Sequence, residues 1–235
     1  MADGYARATG KPGVVLVTSG PGATNTVTGI LTAQMDSIPM IVICGQTISP
    51  MLGKDAFQEA DVFGITAPTV KHSYLLTQAD DIPRVCKESF HIATTGRPGT
   101  VVMDIPKDIS SGPCEATFES AKMDLPGYKP TKTADLTDLK AMISHLNAAK
   151  KPLLLVGHGA IISNASKDVL ALAEQLQAPV VTTKLGKGII PETHPLAMGM
   201  LGMHGTAYAN RAVEHCDLIL SIGSRWDDRI TPADI

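Results

Sequence analysis

The sequence predicts an α/β protein with two parallel-sheet domains, of which the second is Rossmann-like. Short β-branched runs alternate with stretches whose apolar residues recur every three or four positions, as in βαβ units. Two such series occur, and a proline-interrupted stretch without periodicity separates them. A chain of 235 residues is long enough for two such cores.

The first domain is predicted to occupy residues 1–112. Runs of β-branched and apolar residues predict its strands, at residues 14–18, 40–44, 70–75 and 100–104. One helix is indicated by Val27, Ile30, Leu31 and Met35. A second helix has Asp80 or Asp81 as its cap and Pro83 in its first turn, and it ends at Gly96. The stretch from Gly45 to about Val62 is predicted to be irregular, and long irregular loops inside domains are often functional.

Residues 113–133 are predicted to be an interdomain linker, and residues 134–235 the second domain. Periodicity disappears in the linker, where Pro113, Pro126 and Pro130 interrupt the chain. After it the sequence predicts an αβαβαβ order, with strands at 153–156, 180–183 and 218–222 and helices at 136–146, 166–177 and 206–215. Both domains are expected to be truncated, since the first opens on a glycine-rich helix end and the last strand is followed only by a loop.

Composition narrows the class of protein. The net charge of −3 gives no reason to expect nucleic acid or an anionic membrane as a partner, and no apolar run is long enough to span a bilayer. The four cysteines form no Cys-x-x-Cys pair, which argues against a zinc site and a redox dithiol. A reducing, cytoplasmic compartment is the expected location.

The loop at residues 19–25, Ser-Gly-Pro-Gly-Ala-Thr-Asn, lies between a predicted strand and a predicted helix. Its glycines permit close approach of the backbone, and ligands of open α/β sheets bind at the carboxyl ends of strands. It could equally be a tight turn with Asn25 as a local cap. It is neither a Walker loop nor a dinucleotide fingerprint, because the Gly-Lys-Ser/Thr and the third glycine are missing.

Nine segments of the sequence resemble acetohydroxyacid synthases, a family of thiamine-diphosphate-dependent enzymes. Most characteristic are Asp-Ala-Phe-Gln-Glu, Leu-Gly-Met-His-Gly and Trp-Asp-Asp-Arg, whereas Gly-Pro-Gly-Ala-Thr-Asn is shared by many thiamine-diphosphate enzymes. The segments follow the family's order over nearly the whole chain, at residues 1–13, 17–25, 36–39, 55–61, 71–75, 95–99, 104–108, 201–205 and 225–229. The resemblance implies part of the pyrimidine-binding domain followed by part of the central domain.

The resemblance also implies a reaction. Such an enzyme decarboxylates pyruvate and adds the remaining two-carbon unit to pyruvate or 2-oxobutyrate, in branched-chain amino acid biosynthesis. Pro21, Gly22 and Asn25 would contact thiamine diphosphate. Gln58 would hydrogen-bond near the reacting centre, and Phe57 would form an apolar wall beside it. For Phe57 the alternative is an ordinary core position.

Lys71 would offer a cation to the substrate carboxylate according to the resemblance. A lysine at a strand edge is more often solvated than catalytic, so residue type alone favours a solvated side chain for Lys71.

FAD is a second cofactor that the resemblance implies, without a redox part in the main reaction. The expected contacts are Arg97 in the first domain and Gly157, Gly159, Thr183, His204, Gly205, Gly223 and Arg225 in the second. Surface histidine is the alternative for His158 and His204. Lys184 stands where an apolar residue is expected, which weakens the match in that loop.

Other family features are expected outside these 235 residues. They are the glutamate that bonds the aminopyrimidine and the Gly-Asp-Gly…Asn-Asn segment that holds Mg²⁺ and the diphosphate, so the chain alone is expected to be inactive. The resemblance further implies a homodimer or larger assembly and a small regulatory subunit. Alternatives are another thiamine-diphosphate enzyme, such as glyoxylate carboligase, pyruvate oxidase or a 2-oxo acid decarboxylase, and a non-catalytic nucleotide-binding module.

Overall fold

The computed structural model describes residues 1–230 and divides the chain into two compact units. Unit 1 is Met1–Lys132 and unit 2 is Thr133–Ile235. The end of the predicted second domain, residues 231–235, lies outside the described residues. Each unit contains a parallel sheet with helices, which confirms the predicted α/β class with two parallel-sheet domains.

Unit 1 is built on a four-stranded sheet in the order β1-β2-β4-β3. Its strands are β1 (Gly13–Val17), β2 (Met40–Gln46), β3 (His72–Leu75) and β4 (Thr100–Pro106). Its helices are α1 (Ala2–Thr9), α2 (Pro21–Thr24), α3 (Val27–Met35), α4 (Val62–Thr66), α5 (Ile82–Thr94) and α6 (Lys107–Ser111). All strand pairs are parallel, so the carboxyl ends of all four strands lie at one edge of the sheet.

The central strands β2 and β4 are buried on both faces, as expected for a parallel sheet covered by helices. One face packs Val42, Cys44 and Val102 against Ile30 and Ala33 of α3. The other face packs a second set of residues against α5, namely Ile41, Val101, Met103, Val85, Ile92 and Ala93. Helix α5 fits this place because its apolar residues recur along one face, and Pro83 stands in its first turn.

Unit 2 contains a second sheet, in the order β7-β6-β5-β8 over the residues that the structure describes. Its strands are β5 (Pro152–Val156), β6 (Val180–Thr182), β7 (Ala197–Met200) and β8 (Leu218–Ile222). Its helices are α7 (Leu136–Ala148), α8 (His158–Ile162), α9 (Ser166–Leu176) and α10 (Ala207–His215). The core lies on both sides of β5, whose residues Leu153 to Val156 are buried.

Strand β7 is absent from the sequence prediction. It has no β-branched residue, and Gly199 adopts a positive φ of 82° beside an irregularity in its pairing with β6. The short helices α4, α6 and α8 also escaped the prediction, because helices of about five residues carry too little periodicity to be recognised.

The segment predicted as a linker, residues 113–133, lies against unit 1 as far as Lys132. Asp80 accepts hydrogen bonds from the N–H groups of Glu115 and Ala116, at 2.6 and 2.9 Å. Further along, Lys87 donates to the Ala121 carbonyl at 2.8 Å, and the Asp124 N–H donates to Glu88 at 2.7 Å. The segment is therefore held by side chains of α5 and of Asp80 just before it, which explains why its own sequence shows no periodicity.

Candidate functional site

Two irregular segments meet at the carboxyl edge of the unit 1 sheet. The turn at residues 19–22 follows β1, and the loop at residues 47–61 follows β2. Gly20 has a positive φ of 57°, and a Cβ added there would lie 2.7 Å from the carbonyl oxygen of Gln58. Gly20 therefore needs to be glycine for its conformation and for this close approach. The structure thus brings together two of the motifs from which a cofactor site was predicted.

The predicted thiamine diphosphate contacts are accessible at this edge. Pro21 is the first residue of α2, and the side chains of Pro21 and Asn25 are exposed. Gly22 packs closely, because a Cβ there would lie 2.7 Å from Cγ2 of Thr18. Asn25 ends α2, and its N–H donates to the Pro21 carbonyl at 3.1 Å. The turn therefore presents one apolar ring and one amide to solvent beside Gln58.

The loop at residues 47–61 is held in shape by Glu59. Its carboxylate accepts hydrogen bonds from the N–H groups of Gly53 and, at 2.9 Å, Ala56. The bond from Ala56, and then that from Gly53, lowers the pKa of Glu59. This carboxylate is therefore engaged within its own loop.

Phe57 and Gln58 project from this loop. Phe57 is 88% exposed, so it is not a core residue of unit 1. Gln58 adopts a positive φ of 55°, a conformation that non-glycine residues hold only when the surrounding structure imposes it. An exposed phenyl ring and an exposed amide on a constrained backbone are suited to contact a ligand or another protein surface.

A buried polar side chain, that of Asp104, lies near the base of the loop at residues 47–61, and it is not among the predicted site residues. Asp104 of β4 is 2% exposed, and its Oδ2 accepts a hydrogen bond from Gln46 Nε2 at 3.0 Å. Burial raises the pKa of Asp104 from 3.8 to about 6, although the bond from Gln46 opposes the shift. Burial likewise raises the pKa of the neighbouring Cys44 thiol to about 12, and the Asp104 charge adds to this shift.

Lys71 lies at the opposite edge of the sheet from Gln58, because it precedes β3 whereas Gln58 follows β2. Its Nζ donates to the carbonyls of Ile92 and Thr95 at the end of α5, at 2.5 and 2.8 Å. It also donates to the Tyr128 hydroxyl at 3.0 Å. Lys71 is thus neither a solvated cation nor part of the Gly20–Gln58 site, and it caps the negative end of a helix dipole.

Arg97 also lies at this amino edge, where it precedes β4. Its Nε donates to Ser37 Oγ at 2.8 Å, and its Nη2 donates to the carbonyls of Gln34 and Met35 at 3.1 Å. Arg97 therefore caps the carboxyl end of α3. Residues at or shortly before the start of a parallel strand are expected at the amino edge, so the positions of both cations could have been predicted from the strands at residues 70–75 and 100–104.

Three of the four glycines predicted to bind FAD, namely Gly157, Gly159 and Gly223, pack against one another at the carboxyl edge of unit 2. A Cβ on Gly157 would lie 2.4 Å from the Gly223 carbonyl oxygen, and Gly223 has a positive φ of 64°. The Gly157 and Gly159 N–H groups donate to the carbonyls of Ile222 and Gly223, at 2.8 and 3.0 Å. These glycines therefore serve contacts between the loops, and the N–H groups of Gly157 and Gly159 are already engaged by backbone carbonyls.

Other predicted FAD contacts of unit 2 have local partners. Thr183 Oγ1 accepts from the Gly186 N–H at 3.1 Å, and the Gly205 N–H donates to the Gly202 carbonyl at 2.9 Å. His204 is exposed. Arg225 is also exposed and forms an ion pair with Asp227 at 3.7 Å. The accessible polar groups of this set are therefore the side chains of His204 and Arg225.

A separate apolar groove of about 320 Å³ lies between α7 and β8 and includes Met142, His145 and Leu220. It contains none of the predicted site residues. Within residues 1–230, no group of three or more histidine, cysteine or acidic side chains is placed to hold a metal ion. Over the same residues, no helix combines the length and apolar character needed to cross a membrane.

Comparison with known proteins finds a matching family in each unit. The family described as "Thiamine pyrophosphate enzyme, N-terminal TPP binding domain" matches residues 1–65, and "Thiamine pyrophosphate enzyme, central domain" matches residues 139–234. The chain is 51% identical to the acetolactate synthase large subunit of Haemophilus influenzae, over 98% of this chain and 40% of that protein. It is 50% identical to the acetolactate synthase isozyme 3 large subunit of Escherichia coli, over 98% of this chain and 40% of that protein.

An archaeal relative shows similar agreement. The chain is 49% identical to the probable acetolactate synthase large subunit of Methanocaldococcus jannaschii, over 98% of this chain and 39% of that protein. The chain thus spans about 40% of the length of the curated relatives that it matches.

Proposed function

The chain belongs to the thiamine pyrophosphate enzymes, and we propose that it is part of an acetolactate synthase large subunit. The proposed reaction decarboxylates pyruvate and joins the two-carbon unit to a second pyruvate, or to 2-oxobutyrate, in branched-chain amino acid biosynthesis. The observation that carries the proposal is identity of about half of all residues to such subunits along both units. The meeting of Gly20 with Gln58 supports it, because it joins a turn shared by the wider family to a loop characteristic of these synthases.

Thiamine diphosphate fits the carboxyl edge of unit 1. The close approach of Gly20 to Gln58 brings the turn and the loop together, and the exposed Pro21 and Asn25 offer an apolar surface and a hydrogen-bonding amide. When bound, thiamine diphosphate supplies the electron sink that decarboxylation of a 2-oxo acid requires. Asn25 and Pro21 would bind and orient the pyrimidine ring.

Gln58 would donate or accept a hydrogen bond at the reacting atoms. Its constrained backbone would hold the amide in place, which reduces the reorganisation needed in the transition state. Phe57 would cover this region and exclude water. Lys71 and Arg97 have no part in this site as proposed, because both cap helices at the other edge of the sheet.

FAD, Mg²⁺ and the assembly are further parts of the proposal. FAD would contact unit 2 through the side chains of His204 and Arg225 rather than through the N–H groups of Gly157, Gly159 and Gly205, which are engaged by backbone carbonyls. Mg²⁺ would be held outside the described residues. We further propose a cytoplasmic enzyme that forms at least a homodimer and binds a small regulatory subunit.

Genetic complementation tests the proposed function. The gene that encodes this chain, with its flanking coding sequence, is introduced into a bacterial strain that lacks every acetolactate synthase. We expect growth without valine, leucine and isoleucine, and no growth when Asn25→Ala is introduced. Arg211→Ala, on the exposed side of α10, is the control and should support growth. Failure of the wild-type gene, with the protein present in the cell extract, would contradict the proposal.

A further inference from the structure

One buried side chain joins the two ends of the loop that carries Phe57 and Gln58. Gln46 is the last residue of β2 and is 5% exposed. Its Oε1 accepts from the Thr47 N–H at 2.8 Å, and its Nε2 donates to the Ala60 carbonyl at 2.8 Å. Because Thr47 begins the loop and Ala60 lies close to its end, a single amide closes the base of the loop.

Asp104 fixes the direction of this amide. Gln46 Nε2 also donates to Asp104 Oδ2 at 3.0 Å, and a carboxylate oxygen that accepts from the nitrogen excludes the flipped amide. The other oxygen, Oδ1, is buried and has no hydrogen-bond partner in the part of the chain that the structure describes. A buried, half-satisfied carboxyl group costs stability, so a purely apolar residue at position 104 would suit the core better.

A second carboxyl group of the same segment bears on the same loop. Asp108 lies in α6, directly after β4, and its Oδ1 accepts from both the N–H and the Oγ of Ser49, at 2.9 and 3.1 Å. The segment at residues 104–108, Asp-Ile-Pro-Lys-Asp, thus contacts the start of the loop through Asp108 and its base through Asp104.

We propose that Gln46 and Asp104 are positioning residues that hold the loop so that Gln58 stays against Gly20. The inference rests on the proposed function, because Gln58 affects catalysis only if the carboxyl edge of unit 1 is a reacting site. Neither residue touches the reacting atoms. Both act through the backbone of the loop, which they connect to the central strands β2 and β4.

The test compares variants of the full-length protein that contains this chain. Gln46→Met keeps the length of the side chain and removes all three hydrogen bonds, and Gln46→Asn is too short to span Ala60 and Asp104. Gln34→Met is the matched control. The Gln34 amide oxygen also accepts a hydrogen bond from a backbone N–H, that of Thr100 at 3.0 Å, but it lies on the amino side of the sheet. Asp104→Asn is the conservative variant, because its amide oxygen can still accept from Gln46.

Two readouts distinguish a role in positioning the loop from a general effect on folding. The first is the rate of tryptic cleavage after the exposed Lys54, which lies in the loop. The second is kcat and KM for pyruvate at saturating thiamine diphosphate. We expect both Gln46 variants to be cut at least tenfold faster and to lose at least tenfold in kcat, while KM changes less than threefold. Gln34→Met and Asp104→Asn should stay within threefold of the wild type in both readouts.

Wild-type cleavage at Lys54 in a folded Gln46 variant would overturn the inference, as would equal acceleration in Gln34→Met. If Gln46→Met does not fold, Gln46→Asn decides by the same criteria. If the wild-type protein forms no acetolactate, the proposed function fails, while the rate of cleavage at Lys54 still decides whether Gln46 holds the loop.

Discussion

Replacement of Asp104 by asparagine should make the stability of unit 1 less dependent on pH. The carboxyl group has a pKa of about 6 in the folded chain and 3.8 as its ordinary value, since burial disfavours the charged form. A raised pKa means that the folded state binds the proton more tightly than the unfolded state. The resulting stabilisation is fully present below pH 3.8 and is lost as the pH rises through 6.

The magnitude follows from the two pKa values. The full shift corresponds to about 3 kcal/mol at about 1.4 kcal/mol per pH unit. At pH 5 the carboxyl group is already ionised in the unfolded chain but still mostly protonated in the folded chain, so part of the ~3 kcal/mol has been lost by then. The loss that remains between pH 5 and pH 8 is about 1.4 kcal/mol. Asp104→Asn cannot ionise. Its free energy of unfolding, relative to the wild type, should therefore rise by about 1.4 kcal/mol from pH 5 to pH 8.

Urea unfolding of the 235-residue chain at both pH values provides the measurement. Circular dichroism reports both units, and the fluorescence of Trp226, the single tryptophan, reports unit 2 alone. Asp55→Asn is the control, because Asp55 is exposed and asparagine also tolerates its positive φ of 52°. An equal difference between Asp104→Asn and the wild type at the two pH values would refute the assignment of a buried, high-pKa carboxyl group.

Three further predictions concern named contacts. Gly20→Ala should destabilise unit 1 by about 1–2 kcal/mol from its positive φ alone. It should also weaken thiamine diphosphate binding, because the new Cβ meets the Gln58 carbonyl, and calorimetry with the cofactor checks this. Lys71→Met should lower the free energy of unfolding by about 1–3 kcal/mol, because the bonds that cap α5 are lost. The affinity for thiamine diphosphate should stay unchanged, and a tenfold loss of affinity would contradict the placement of Lys71. Gly223→Ala should destabilise unit 2 by at least about 1 kcal/mol, since Gly223 has a positive φ and its Cβ would lie 2.6 Å from the Ala160 nitrogen. An unchanged midpoint of urea unfolding, followed by Trp226 fluorescence, would contradict this.

The regular elements were the most predictable part of the fold. Strands β2 and β4 each contain a run of apolar residues, and α5 has Pro83 at its start and one apolar face, so local sequence contains their signals. The comparisons confirm the resemblance to the thiamine-diphosphate-dependent synthases. The edge strand β7 could not be predicted from local sequence, because its residues have low strand propensity and its pairing with β6 compensates for this.

The site was predictable as motifs and less so as contacts. The turn after β1 and the loop after β2 had to share an edge of a parallel sheet, which places Gly20 and Gln58 near each other. The role of Asp104 depends on a hydrogen bond with Gln46, which is distant in sequence, and no local pattern predicts it. The same holds for Tyr128, which contacts Lys71 and Thr95 from the segment predicted as a linker.

The proposed activity of the enzyme that contains this chain is the condensation of pyruvate with a second 2-oxo acid. The most direct measurement supplies the purified full-length protein with ¹³C-labelled pyruvate and unlabelled glyoxylate and 2-oxobutyrate, together with thiamine diphosphate, Mg²⁺ and FAD. Nuclear magnetic resonance then identifies the products. We expect labelled acetolactate and acetohydroxybutyrate with release of labelled CO₂. Formation of tartronate semialdehyde from glyoxylate, or of acetaldehyde alone, would contradict the claim.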